Sequence, residues 1–239
     1  LASWISVDSD AEPAEVVAKH LADAMRAAIA GRGAAFVALC GGRTPRAAYA
    51  ELAQQPLAWN CLTLVPTDER LVPPTHEHSN EGMIRGTLLQ GAAARVQLIS
   101  LWSDAPTAAL AAVAATRALA TCPQPFDLEL LGMGEDGHIA SLFPGAAELG
   151  AALEPGDGAS VVAITPGPTA PPPAITRLTL SLPRLLNTRR ICLLISGRAK
   201  RELLERVLQQ PDRERWPVSA LFADHTPPVD VMWIEGVTP

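Results

Sequence analysis

Phe126-Asp127-Leu128-Glu129-Leu130-Leu131-Gly132-Met133-Gly134-Glu135-Asp136-Gly137-His138 contains a strand and the turn that ends it. Residues 126–131 are a short, mostly apolar run bounded by Pro125 and Gly132, the pattern of a strand buried on both faces of a parallel sheet. Gly132, Gly134 and Gly137 then permit a sharp reversal and close approach of backbone amides to a ligand. His138 is therefore expected at the carboxyl end of a sheet, where open α/β folds bind ligands. On spacing alone, a catalytic imidazole and a loop histidine bonded locally are equally good readings, because G-x-G patterns are common.

Outward from this stretch, strands and helices alternate. Val16, Val17, Leu21, Ala24, Met25, Ala28 and Ile29 recur at helical spacing over residues 12–30, and residues 34–40 read as a buried strand. Gly41-Gly42-Arg43-Thr44-Pro45 follows, with Thr44 expected to cap a helix over residues 46–54 and Pro45 suited to its first turn. A glycine turn feeding a helix N-terminus offers amide protons to an anion, so a phosphate site and an ordinary strand-to-helix connection are both open here. Further strands are expected at 61–65, 96–100, 161–164, 175–183, 191–196 and 229–234, and helices at 81–89 (capped by Ser79 or Asn80), 104–120, 147–153, 182–187 and from Gly197 through Gln209. The proline-rich residues 166–173 are expected to cross the surface as an extended connection. The pattern predicts a three-layer α/β fold with a largely parallel sheet, and residues 1–239 are read as one domain.

Composition narrows the function classes. The chain has 239 residues, 48% hydrophobic and 18% charged, with a net charge of −6 and a pI near 5.4. No basic run stands against that background, so no nucleic-acid partner is expected, and an anionic substrate needs local cations. Lys200 is one of only two lysines, the other being Lys19, and it falls at a strand-helix junction. Cys40, Cys61, Cys122 and Cys192 are far apart and are expected as reduced core thiols. His76 and His78 lack an evident third ligand, so no metal site is expected. No G-x-G-x-x-G fingerprint follows the first expected strand, so no nicotinamide and no other cofactor is expected. The first ten residues carry Asp8 and Asp10 without a basic region, and the most apolar helical stretch, 108–115, is too short to span a bilayer. A cytoplasmic protein without membrane partners, acting as a monomer, is the expectation.

The string G-M-G-E-D-G-H-I-A-S-L-F-P-G over residues 132–145 resembles the active-site signature of the 6-phosphogluconolactonases. Gly41-Gly42-Arg43-Thr44-Pro45 resembles that family's G-G-S-T-P loop, with Arg43 in place of serine. Asp68-Glu69-Arg70-Leu71-Val72-Pro73-Pro74, Ser79-Asn80-Glu81-Gly82-Met83, residues 175–183, Gly197-Arg198-Ala199-Lys200 and residues 217–221 resemble further family segments. The resemblance covers roughly residues 34–234 and implies the Rossmann-like fold shared with sugar-phosphate isomerases and deaminases. It implies hydrolysis of 6-phospho-D-glucono-1,5-lactone, a phosphorylated sugar lactone, with His138 as general base and Asp136 fixing its tautomer. Gly41, Gly42, Arg43, Thr44, Arg70 and Lys200 would bind the phosphate, and glycine-loop amides or an arginine would stabilise the oxyanion. Asp68 and Glu69 are read as orienting Arg70 or capping a turn. The alternatives are a sugar-phosphate isomerase or deaminase, whose loop resembles N-G-H-I-A-F-N-E-P and whose second segment reads D-E-Y, and a non-catalytic sugar-phosphate sensor.

Overall fold

The computed structural model describes residues 2–7, 12–167 and 174–236. In chain order the strands and α-helices are β1 (Ala2–Val7), α1 (Pro13–Arg32), β2 (Ala35–Leu39), α2 (Arg43–Ala53), β3 (Leu62–Pro66), β4 (Asp68–Arg70), α3 (Asn80–Thr87), β5 (Gln97–Leu98), α4 (Ala108–Ala120) and β6 (Leu128–Gly132). They continue with α5 (Leu149–Leu153), β7 (Val161–Ile164), β8 (Arg177–Leu180), α6 (Leu182–Leu186), β9 (Ile191–Ser196), α7 (Arg198–Gln209) and β10 (Val229–Ile234).

Seven strands pair in parallel in the order β1-β10-β9-β6-β2-β3-β5. Because side chains alternate across a strand, β6 feeds two cores. Leu128 and Leu130 join Val17, Leu21, Met25, Tyr49, Leu52 and Ile84 under α1, α2 and α3. Leu131 joins Phe36, Leu119, Leu178, Leu193, Leu204 and Val218 on the other face. Each such leucine, fully buried, contributes about 1.5–3 kcal/mol. Double-sided burial is why the strand reads as a run and not as an alternation. The first helix obeys its pattern too: Val17, Ala18, Leu21, Ala22, Met25 and Ala28 are buried, Pro13 sits in its first turn, and Gly33 closes it by donating to Ile29 O at 2.7 Å.

The chain leaves β2 toward β3 on one flank and later enters β6 on the other. The loops after β2 and β6 therefore diverge at a topological switch point, where open sheets of this kind bind ligands. Tyr49 of α2, fully buried, donates its hydroxyl to Cys40 O at 2.7 Å and ties that helix to the end of β2.

Three differences from the sequence expectation have local causes. Strand β1 is an edge strand of mixed composition, and parallel pairing to β10 makes it a strand where its own pattern does not. Residues 68–70, expected as a turn, form β4 and pair antiparallel with β8, which pairs with β7 in a second, three-stranded sheet. Helix α4 starts at Ala108, later than expected, because Thr107 caps it by accepting from Leu110 N at 3.2 Å. Of the proline-rich connection, residues 168–173 lie outside the described residues. The four cysteines are free, with Cys40 and Cys192 buried. Among the described residues, no helix is long and apolar enough to cross a membrane.

Candidate active site

The glycine turn after β6 folds back on itself. Gly134 N donates to His138 O at 2.9 Å and Gly137 N to Gly134 O at 3.2 Å, while Met133 and Ile139 form a backbone bridge. This reversal brings the His138 ring over Gly134, where a β-carbon would lie 2.2 Å from Nδ1, so only glycine fits. It also spends the amides of Gly134 and Gly137 inside the turn, so these two do not serve an oxyanion in this conformation.

Asp136 Oδ1 lies 2.6 Å from His138 Nδ1 and accepts a second bond from His138 N at 3.1 Å. Nδ1 therefore carries the proton in the neutral imidazole, and Nε2 is the ring nitrogen left to take one. Phe143 packs its ring against the imidazole with centroids 4.8 Å apart. Burial pushes the Asp136 carboxyl up, but the hydrogen bond to His138 and its charge outweigh this and hold it below its ordinary value.

Lys200 is in the first turn of α7, the helix that follows β9, within electrostatic reach of Glu135 and Asp136 of the glycine turn. Burial draws its ammonium below the usual lysine value; the carboxylate of Glu135 opposes that, the Arg43 guanidinium adds to it, and Asp136 opposes it again. Lys200, Arg43 and the Asp136-His138 pair thus share one electrostatic neighbourhood. Helices α2 and α7 both open there, and Thr44 Oγ1 stands 3.4 Å from Ser196 Oγ at the end of β9. Thr44 is not the cap expected from the sequence. Helix α2 begins at Arg43, Gly42 takes the cap position with φ 115°, and no side chain caps it. Arg43 is exposed, and the first amides of α2 have no capping side chain bonded to them.

The segment after β3 completes the edge. Glu69 is fully buried and accepts four bonds: from Arg70 N and Asn80 N at 2.7 Å each on Oε1, and from Ser79 Oγ at 2.9 Å and Glu81 N at 2.7 Å on Oε2. It seats the N-terminus of α3, in line with the capping role expected of it. Ser79 also caps α3, accepting from Gly82 N at 2.9 Å. Arg70 donates Nη1 to His78 O at 2.6 Å, and its buried Nε meets no acceptor among the described residues. No hydrogen bond or ion pair among the described residues joins Arg70 to His138. Arg70 ends β4 and His138 lies in the loop after β6; the two segments are linked through Asp68, whose Oδ2 accepts from Ser141 Oγ at 2.5 Å.

Sequence reasoning did not single out Ser141 or Arg177, and offered Asn80 only as a helix cap, a place that Ser79 takes. Asn80 donates Nδ2 to Asp68 O at 2.8 Å, and its Oδ1 occupies the place a β-carbon on Gly41 would take, 1.9 Å away. Gly41 is thus a close-approach glycine beneath a side chain. Arg177, nearly buried in β8, lies within electrostatic reach of Arg70, Asp68 and Glu69, and burial lowers its pKa to about 10. The signal for all three lay in segments already matched to the family, but their contacts are between segments far apart in sequence. His76 and His78 meet with their rings tilted by 45° and centroids 5.3 Å apart, in a loop where His76 is exposed.

A parallel sheet with a histidine-carboxylate pair at its switch point, in the electrostatic neighbourhood of a lysine and an arginine, is a frame for proton transfer on an anionic ligand. Residues 8–233 match the family of glucosamine-6-phosphate isomerases/6-phosphogluconolactonase, and the chain belongs to it. Within it, the chain is 38% identical over 220 residues to a 6-phosphogluconolactonase of Pseudomonas putida, covering 92% of this chain and 88% of the relative. The crystal structure of a 6-phosphogluconolactonase from Shewanella baltica OS155 superposes with a TM-score of 0.91 at 33% identity, covering 99% of this chain and 98% of that one. A monomeric glucosamine-6-phosphate deaminase shares the fold at a TM-score of 0.77 and 21% identity.

Proposed function

We propose that the chain hydrolyses 6-phospho-D-glucono-1,5-lactone to 6-phospho-D-gluconate, with His138 as the general base. The observation that carries this reading is the 2.6 Å bond between Asp136 and His138 Nδ1, beside the cations Lys200 and Arg43. Asp136 fixes the tautomer, Nε2 takes a proton from the attacking water, and the same nitrogen returns a proton to the ring oxygen as the C1–O bond breaks.

The phosphate lies at the far end of the substrate from C1, so its binding energy goes into aim. In this reading Lys200, Arg43, Thr44 and the amides around Gly41 and Gly42 at the start of α2 hold the dianion. Arg70, whose Nε has no acceptor among the described residues, supplies a further cation. An arginine, not the amides of Gly134 or Gly137, then stabilises the tetrahedral oxyanion. Arg43, where the family pattern has serine, replaces a hydroxyl contact with a charge.

The deaminase reading is weaker. The same fold carries both chemistries, and the two relatives above 30% identity named above are lactonases. The test is a lactone-loss assay on freshly generated substrate, corrected for spontaneous hydrolysis. His138→Ala is expected to lower kcat by about 10²–10⁴-fold. Wild-type turnover in that variant removes the mechanism, and binding of 6-phosphogluconate without any acceleration by the unsubstituted protein makes it a sensor.

A further inference from the structure

Asp68, the first residue of β4, and Ser141, in the loop after β6, meet inside the molecule. Asp68 is 8% exposed and Ser141 1% exposed, and the Ser141 hydroxyl donates to Asp68 Oδ2 at 2.5 Å. The other carboxylate oxygen, Oδ1, accepts from Asn80 Nδ2 at 3.2 Å and from Thr67 Oγ1 at 3.5 Å. Ser141 N donates to Thr179 Oγ1 at 3.2 Å, so the serine is held from two sides.

What it holds is the strained half of the histidine loop. Ala140, between Ile139 and Ser141, has φ 47°, a left-handed conformation that residues with a β-carbon rarely adopt and that persists only when its surroundings enforce it. Past Ser141 the chain turns again, with Phe143 N donating to Ser141 O at 3.0 Å, and Phe143 is the ring against the imidazole. The serine therefore anchors one of the two groups that orient His138, the other being Asp136. Its own anchor, Asp68, opens β4, two residues before Arg70.

Given the role proposed above for His138, we infer that Ser141 and Asp68 are positioning residues for it: their hydrogen bond fixes the histidine loop relative to β4, which carries Arg70. Neither touches the substrate. Loss of the bond lets Ala140 relax and the imidazole shift away from C1 while the phosphate-binding side stays as it is. Turnover is then lost without binding, since misplacement on the ångström scale is enough to slow a positioned reaction by a large factor.

The test is Ser141→Ala, with Ser141→Cys as a variant that keeps the volume but offers only a weak donor, each made in the unsubstituted and His138→Ala backgrounds. In the unsubstituted background kcat is expected to fall roughly tenfold or more. The Kd for 6-phosphogluconate, by calorimetry, stays within about twofold, and neither variant lowers the residual rate of His138→Ala. Should Ser141→Ala not fold, the same comparison is made with Ser141→Cys. Unchanged turnover, an equal loss of turnover and product binding, or the same loss factor in both backgrounds overturns the positioning role. Wild-type turnover in His138→Ala alone would instead overturn the reading on which it rests.

Discussion

Asp136 and His138 are two residues apart, yet one carboxylate oxygen serves both the backbone amide and the ring nitrogen of the histidine. Because the Asp136 pKa is held below its ordinary value, whatever stability the pair contributes is present above the unfolded carboxylate range and is lost only as pH falls through the lowered value. At neutral pH the carboxylate is charged, so Asp136 does not set the acid limb of the rate profile. Asp136→Ala removes the acceptor that holds the proton on Nδ1 and leaves the ring free to take the tautomer with its proton on the wrong nitrogen. We expect kcat to fall roughly 10²–10⁴-fold with KM within a few-fold, measured by lactone loss across pH. A shifted pH profile with full kcat at its optimum would refute a tautomer role. At this scale the sequence was informative about identity and silent about reach: a three-residue acid-Gly-His string names the groups, while the 2.6 Å contact depends on how the glycine turn closes. Thr44 shows the opposite failure, since its capping signal was sound locally but Gly42 took the cap.

Helix α3 depends on a residue outside it. The first amides of a helix need acceptors, and Glu69 supplies two oxygens to Asn80 N and Glu81 N while Ser79 supplies its hydroxyl oxygen to Gly82 N. Burial raises the Glu69 pKa, against the pull of those donors, so the site tolerates the carboxylate only while every bond is made. Glu69→Gln has no orientation that avoids turning an NH₂ group toward a backbone N–H, since each oxygen already accepts from one. The expected loss is about 1–3 kcal/mol of stability, read by urea unfolding; a variant as stable as the parent would show that the helix end is satisfied some other way. Residues 68–70 also explain why β4 was illegible. An acid-acid-base triplet reads as a polar turn, and only pairing with β8 and the buried end of α3 make it a strand. The apolar strands β2, β6 and β9 needed no such help, because burial on both faces is written directly into their composition.

Across the whole molecule, alternating apolar runs and amphipathic helices announced the layered sheet, but they gave no reason for a charge in the middle of it. Glu129 lies on β6, fully buried between Ala38 of β2 and Ile191 of β9, and neither of its oxygens meets a donor among the described residues. Its counter-charge is Arg184 on α6, which stacks over Phe126 at 3.5 Å from the ring centroid and donates to Asn187 O at 3.2 Å. Burial raises the Glu129 pKa well above 4.5 and lowers that of Arg184 to about 10, in each case with the partner's charge pulling the other way. A carboxyl with a raised native pKa keeps its proton in the folded chain after the unfolded chain has released it. Its contribution to stability is therefore greatest at acid pH and declines as pH rises from the ordinary carboxylate value toward the native one. Where Glu129 is ionised, Glu129→Leu alone leaves the guanidinium buried without a counter-ion and is expected to destabilise by about 3–5 kcal/mol, whereas Glu129→Leu with Arg184→Met replaces both groups by apolar volume and is expected to be neutral or stabilising. Denaturant unfolding from mildly acid to neutral pH decides the matter: the double variant should gain on the parent as pH rises, because it lacks the titrating carboxyl. If the single and double variants are equally destabilised, or the gain has the opposite sign with pH, the two charges are not paired across this core.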